Sequence, residues 1–178
     1  KYEIDAGETN AIFNGEPVVV DLSTSTGGYL VTAAAGTSMV GVLNGVLFTD
    51  ATTSKPTFSN FYPAATTPAN SEDITAFVND DPFQEYIIAS DATLGGTLAL
   101  RKSKIGLTYA TTAAAGSTTT GESSVQLGIS TAATTAKQLR MVRIAEDPEN
   151  EDQTAANCKV VVKVNLHQYT VGSLATGI

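Results

Sequence analysis

Pro17-Val-Val-Val-Asp-Leu22, Tyr29-Leu-Val-Thr-Ala33, Met39-Val-Gly-Val-Leu43 and Val46-Leu-Phe-Thr49 follow one another closely, and their reading decides the fold. Each run is short, apolar and rich in β-branched or aromatic residues, the composition that fits a pleated surface. Asn14-Gly15, Gly27-Gly28, Gly36 and Asn44-Gly45 punctuate them. These dipeptides and glycines supply the left-handed backbone that tight turns need. Four strands with turn signals about every ten residues predict a small barrel or sandwich.

The pattern extends in both directions. Upstream, Tyr2, Ile4 and Ala6 alternate with Lys1, Glu3 and Asp5, the period of a half-buried strand. A terminal strand of this kind can pair with another protein's sheet edge, so residues 1–13 are expected to form an arm, with Tyr2, Ile4, Ile12 and Phe13 as contacts. An edge strand of its own sheet is the other reading. Downstream, residues 50–72 are rich in Pro, Thr, Ser and Asn. They read as a long ordered loop pinned by Phe58, Phe61 and Tyr62. Strands resume at 74–78 and 85–89, separated by Asn79-Asp-Asp-Pro82.

The second half repeats the style. Thr97-Leu-Ala-Leu100 reads as a strand, Ile105, Leu107 and Tyr109 share one face, and Val125, Leu127 and Ile129 alternate again. Residues 110–124 approach low complexity and are expected to form a flexible or interface loop. Gln138–Ile144 is a strand, Glu146–Asp152 an acidic loop. The closing strand sets Val160, Val162, Val164 and Leu166 inward, with Lys159, Lys163 and His167 outward. A helical period is hard to find outside residues 131–138. The expectation is an all-β chain of small β-barrel or sandwich (β-tulip-like) units with long ordered loops and little or no helix. It divides into the arm (1–13), a β-rich subdomain (14–90) and a second one packed on it (91–178).

Composition agrees. Of 178 residues, 42% are hydrophobic and only 16% charged, against about 25% charged in typical domains. Ala, Thr, Gly and Ser fill the deficit. The net charge is −8 and the pI near 4.5, which argues against nucleic acid as a partner, because phosphate neutralisation requires an excess of basic residues. The charge is uneven: residues 1–100 hold two cations (Lys1, Lys55) and twelve acids, residues 101–178 eight cations and six acids. No stretch reads as a signal peptide or is apolar enough to span a bilayer, and no membrane partner is expected.

The candidate chemistry fails on physical grounds. Gly116-Ser-Thr-Thr-Thr-Gly121-Glu122-Ser123 approaches a phosphate-binding loop, but Glu122 stands where the loop needs Lys, and a strand rather than a helix follows. Cys158 and His167 are each the only residue of their type. Nine positions apart on one strand, they are separated by roughly 30 Å. One Cys excludes an internal disulfide framework, and one His excludes a multi-histidine metal centre. A Ser-His-Asp hydrolase would have to use His167. Glu146, Asp147, Glu149 and Asp152 are weak candidates for a cation site, since oxygen-rich loops bind calcium, but their spacing matches no calcium loop and no Gly supplies the sharp turn. Arg101, Lys102 and Lys104 form the densest basic cluster, suited to orienting the chain on an acidic protein surface. No catalytic residue, metal or cofactor is expected.

Gly15-Glu-Pro-Val-Val-Val-Asp, Val31-Thr-Ala-Ala-Ala-Gly36 and Val40-Gly-Val-Leu-Asn-Gly-Val46 resemble segments of small capsid decoration (cement) proteins of tailed bacteriophages, notably of marine and cyanobacterial phages. Lys55-Pro-Thr-Phe-Ser-Asn-Phe-Tyr-Pro-Ala64, Ala76-Phe-Val-Asn-Asp-Asp-Pro82 and the closing strand are similar too, so the likeness runs over roughly residues 2–170. The resemblance implies a virion structural protein on the outer surface of the capsid. Its partner would be the major capsid protein lattice, and it would stabilise the head as a homo-oligomer, a trimer in preference to a dimer. It carries no catalytic motif to transfer. The alternative expectation is a tail-fibre or spike domain that binds host glycans through Tyr29, Tyr62 or Tyr86.

Overall fold

The computed structural model describes residues 1–23, 27–150 and 152–170, with backbone alone at position 149. The chain is all-β, with antiparallel pairing between its named strands. It divides into two compact units: Lys1–Ala33, Val40–Asp80 and Ala115–Ser124 in the first; Ala34–Met39, Asp81–Ala114 and Val125–Ile178 in the second. The boundary expected at residues 90/91 therefore gives way to an interleaved one, because strands distant in sequence pair with one another.

Unit 1 holds one six-stranded sheet: β1 (Tyr2–Ile4), β2 (Pro17–Val20), β3 (Leu30–Thr32), β4 (Gly41–Thr49), β5 (Pro56–Ser59) and β6 (Ile74–Asn79), in the order β1-β6-β4-β2-β3 with β5 also on β4. The first strand is not a free arm. It pairs with β6 in the register Tyr2↔Ala76, Glu3↔Thr75, Ile4↔Ile74. Its alternation puts Ile4 into the core with Val18, Leu30, Leu43, Val46, Ile74 and Tyr62. The strands predicted at 39–43 and 46–49 are one strand. Asn44-Gly45 makes a bulge rather than a turn, because β6 pairs past it, with the register shifting between Leu43↔Val78 and Gly45↔Phe77. Gly45 is required there: its φ is +150°, and a Cβ would lie 2.7 Å from the Phe58 ring. The predicted loop 50–72 contains β5, which the sequence reading missed.

Unit 2 holds β7 (Glu85–Ala89), the short helix α1 (Leu98–Ser103), β8 (Thr108–Tyr109), β9 (Thr111–Thr112), β10 (Gln126–Leu127), β11 (Leu139–Ile144) and β12 (Lys159–Val164). Its main sheet runs β7-β12-β11-β8, and β9 and β10 form a second, two-stranded ladder. The inner face buries Val160, Val162, Leu139 and Met141, and the core includes Leu94, Tyr109, Leu127 and Cys158. Thr97-Leu-Ala-Leu100, read as a strand, instead opens α1. The Thr97 hydroxyl caps it by accepting from the Leu100 amide, and Arg101 and Lys102 sit in its last turn, where cations suit the helix dipole. His167, read as an outward, solvated residue, is only 3% exposed. The strand ends at Val164, so the alternation no longer holds, and His167 forms an isolated parallel bridge with Met39.

Candidate functional site: two solvent-facing sheet surfaces

Residues directly opposite one another across a ladder share a face, so the register fixes what each sheet shows to solvent. On unit 1 the bulge brings Phe77 level with Gly45, while Leu47 lies opposite Phe58 on one side and Thr75 on the other. Leu47, Phe58 and Phe77 are 38%, 63% and 38% exposed. The Phe58 ring lies over Gly45, its centroid 6.2 Å from that of Phe77. The result is a contiguous apolar surface on a rigid sheet, built around one glycine that leaves room for a ring.

On unit 2 the register sets Glu85, Ile87 and Ala89 of β7 opposite Lys163, Val161 and Lys159 of β12, and on the other side Arg140 and Arg143 of β11 opposite Lys163 and Val161. This outer face carries four cations. Glu85 bridges Arg143 (3.4 Å) and Lys163 (3.6 Å), and Asp147 meets Lys159 at 3.2 Å. Arg140 is fixed by the Asn165 side-chain oxygen and the Gly106 carbonyl. Ile87, 67% exposed, forms an apolar centre among them.

Unit 1 also has an open cleft of about 300 Å³ lined by Asp5, Glu8, Asp21 and Tyr29. Each of the three carboxylates accepts from a backbone amide two residues on. The Tyr29 hydroxyl donates to Asp73 at 2.9 Å. That bond and the Asp73 charge, followed by partial burial and the charges of Asp5 and Glu3, push the phenol above its usual range. The region around Tyr29 is thus strongly acidic.

The sequence-predicted residues separate. Ile4 and Ile12 are fully buried, which corrects their assignment as partner contacts. Tyr2 packs against the core and donates to Asp80 at 2.7 Å. Phe13 is half-buried and stacks on Phe61 at 5.5 Å, against Gly116. That packing ties the 115–124 segment to unit 1. Arg101 is held by the Gly95 carbonyl, Lys102 is exposed and Lys104 caps the end of α1. In the acidic loop, Asp147 serves Lys159, while Asp152 accepts from the Thr154 amide and hydroxyl, which lowers its pKa. The Glu149 side chain and Glu151 lie outside the described residues. No group of three or more His, Cys, Asp or Glu capable of holding a metal ion occurs among the described residues. Tyr62 is fully buried, which removes it as a glycan platform. Sequence reasoning missed Leu47, Phe58 and Phe77 as a group. Leu47 and Phe77 carried a signal in their strand alternation, but Phe58 lay in a stretch read as a loop, and only the ladders of β4 with β5 and β6 set the three side by side.

Compared with known proteins, the chain matches no family model, no curated protein and no solved structure.

Proposed function

We propose that the chain is a non-enzymatic structural protein that binds other protein surfaces, a decoration protein on the outside of a bacteriophage capsid. The observation that carries this reading is the exposed Leu47–Phe58–Phe77 surface. Contiguous exposed apolar area rimmed by polar residues marks interaction sites, and aromatic anchors dominate binding energy at such sites. The low charge content and short β-strands suit a scaffold whose working parts are surfaces. Stable contacts bury on the order of 1,200–2,000 Å², and a symmetric lattice multiplies modest single contacts through avidity. The partner is the major capsid protein, as the sequence resemblance implies.

The test is binding of purified protein to capsids that lack it. Phe58→Ser with Phe77→Ser should weaken binding by about a hundredfold, the loss expected when two aromatic anchors at roughly 1.5 kcal/mol each are removed. Phe58 is 63% and Phe77 38% exposed, so the thermal midpoint should fall by only a few degrees and the double variant should stay folded at the temperature of the binding assay. Wild-type protein that fails to bind, or a double variant that binds as well, contradicts the reading.

The second reading is a host glycan-binding domain of a tail fibre or spike. The cleft beside Tyr29, with carboxylates able to accept from sugar hydroxyls, favours it. Binding on a glycan array that Tyr29→Ala abolishes would select this reading over the first.

A further inference from the structure

We propose that the basic outer face of unit 2, formed by Arg140, Arg143, Lys159 and Lys163 around Ile87, docks on the acidic surface around Tyr29 of a second copy of this chain. Repeated, this is a head-to-tail self-contact.

The occupant follows from charge. Unit 1 contains two cations and ten carboxylates, so the chain's entire net charge of −8 resides there, whereas unit 2 contains eight of each. Within unit 2 four of the eight cations gather on one sheet face, where Arg143, Lys159 and Lys163 pair with two carboxylates, Glu85 and Asp147, and Arg140 pairs with the neutral Asn165. Within unit 1, Glu3, Asp5 and Asp73 are close enough to Tyr29 to act on its phenol, and Asp5, Glu8 and Asp21 line the cleft beside it. A base-rimmed apolar centre on one unit and an acid-lined concavity on the other are complementary. Complementary charge sets register and speeds encounter, while the exposed Ile87 side chain supplies apolar area at the centre of the basic face. The two surfaces differ, so the contact is heterologous and builds a closed ring or an open chain rather than a two-fold dimer. The inference concerns the purified chain alone and does not depend on a capsid.

The experiment is sedimentation of the full chain while salt is raised from about 0.01 M to about 1 M, which shrinks the Debye length from about 30 Å to about 3 Å. Association at low salt should give way to monomer at high salt. Arg143→Glu with Lys163→Glu, and separately Glu3→Lys with Glu8→Lys, should each be monomeric at low salt, with the dissociation constant raised about tenfold or more by like-charge contact. An equimolar mixture of the two variants should associate again, because each then presents the complement of the other. That recovery also shows that both variants are folded. A wild-type chain that is monomeric at all salt concentrations overturns the proposal. So does association that persists at high salt, association retained by either variant alone, or a mixture that stays monomeric.

Discussion

Asn150 shows how much one side chain decides in this protein. It is 6% exposed. Its amide nitrogen donates to the Ala145 and Lys159 carbonyls at 2.8 and 2.9 Å, and its oxygen accepts from the Lys159 amide at 2.8 Å. It thereby closes the connection between β11 and β12. In the sequence this residue sits among carboxylates, which drew the reading toward a cation site. What the loop contains is an amide that serves two carbonyls and one amide at once, a task that neither Asp nor Glu can perform at neutral pH. Asn150→Ala should cost about 2–4 kcal/mol, since it leaves buried backbone groups unpaired. Asn150→Asp should cost more than Ala, because it places a carboxylate against two carbonyl oxygens. Urea unfolding at constant slope measures both. An Asp variant more stable than the Ala variant would contradict this assignment.

At the scale of elements, β1 is where sequence and structure part most clearly. Alternation identified it correctly as a strand but could not say whose sheet it joins, because pairing is a long-range choice that local pattern does not encode. The register with β6 and the burial of Ile4 settle it. The Tyr62 hydroxyl also donates to the Glu8 carbonyl at 2.8 Å, tying the same segment to the core. Deleting residues 1–9 should therefore destabilise unit 1 by about 3 kcal/mol or more, the loss of a core Ile together with its ladder. An unchanged urea midpoint would restore the free-arm reading.

Other elements were legible to different degrees for physical reasons. The closing strand and 85–89 were readable because β-branched runs leave few alternatives. Thr97–Leu100 was not, because a short apolar run fits strand and helix alike; its cap and the basic residues after it carried the helical signal. The two surface faces were the least legible. Phe58 sat in a stretch read as a loop, and Arg140, Arg143, Lys159 and Lys163 are spread over two strands that only the ladder brings side by side. The acidic front half was read directly from the sequence, and it reappears as the charge of unit 1.

Over the whole molecule, that partition of charge and the apolar face on unit 1 underlie the two contacts proposed above. One surface, Leu47–Phe58–Phe77, suits an apolar partner, and the basic face suits an acidic one. Under the proposed function, both surfaces serve a protein present in many copies on a lattice. The most direct measurement is quantitative mass spectrometry of purified virions, fractionated into heads and tails. The account predicts the chain in the head fraction, at a copy number that is a fixed simple fraction of the major capsid protein. Absence from virions, or presence only in tails at a few copies, would contradict it.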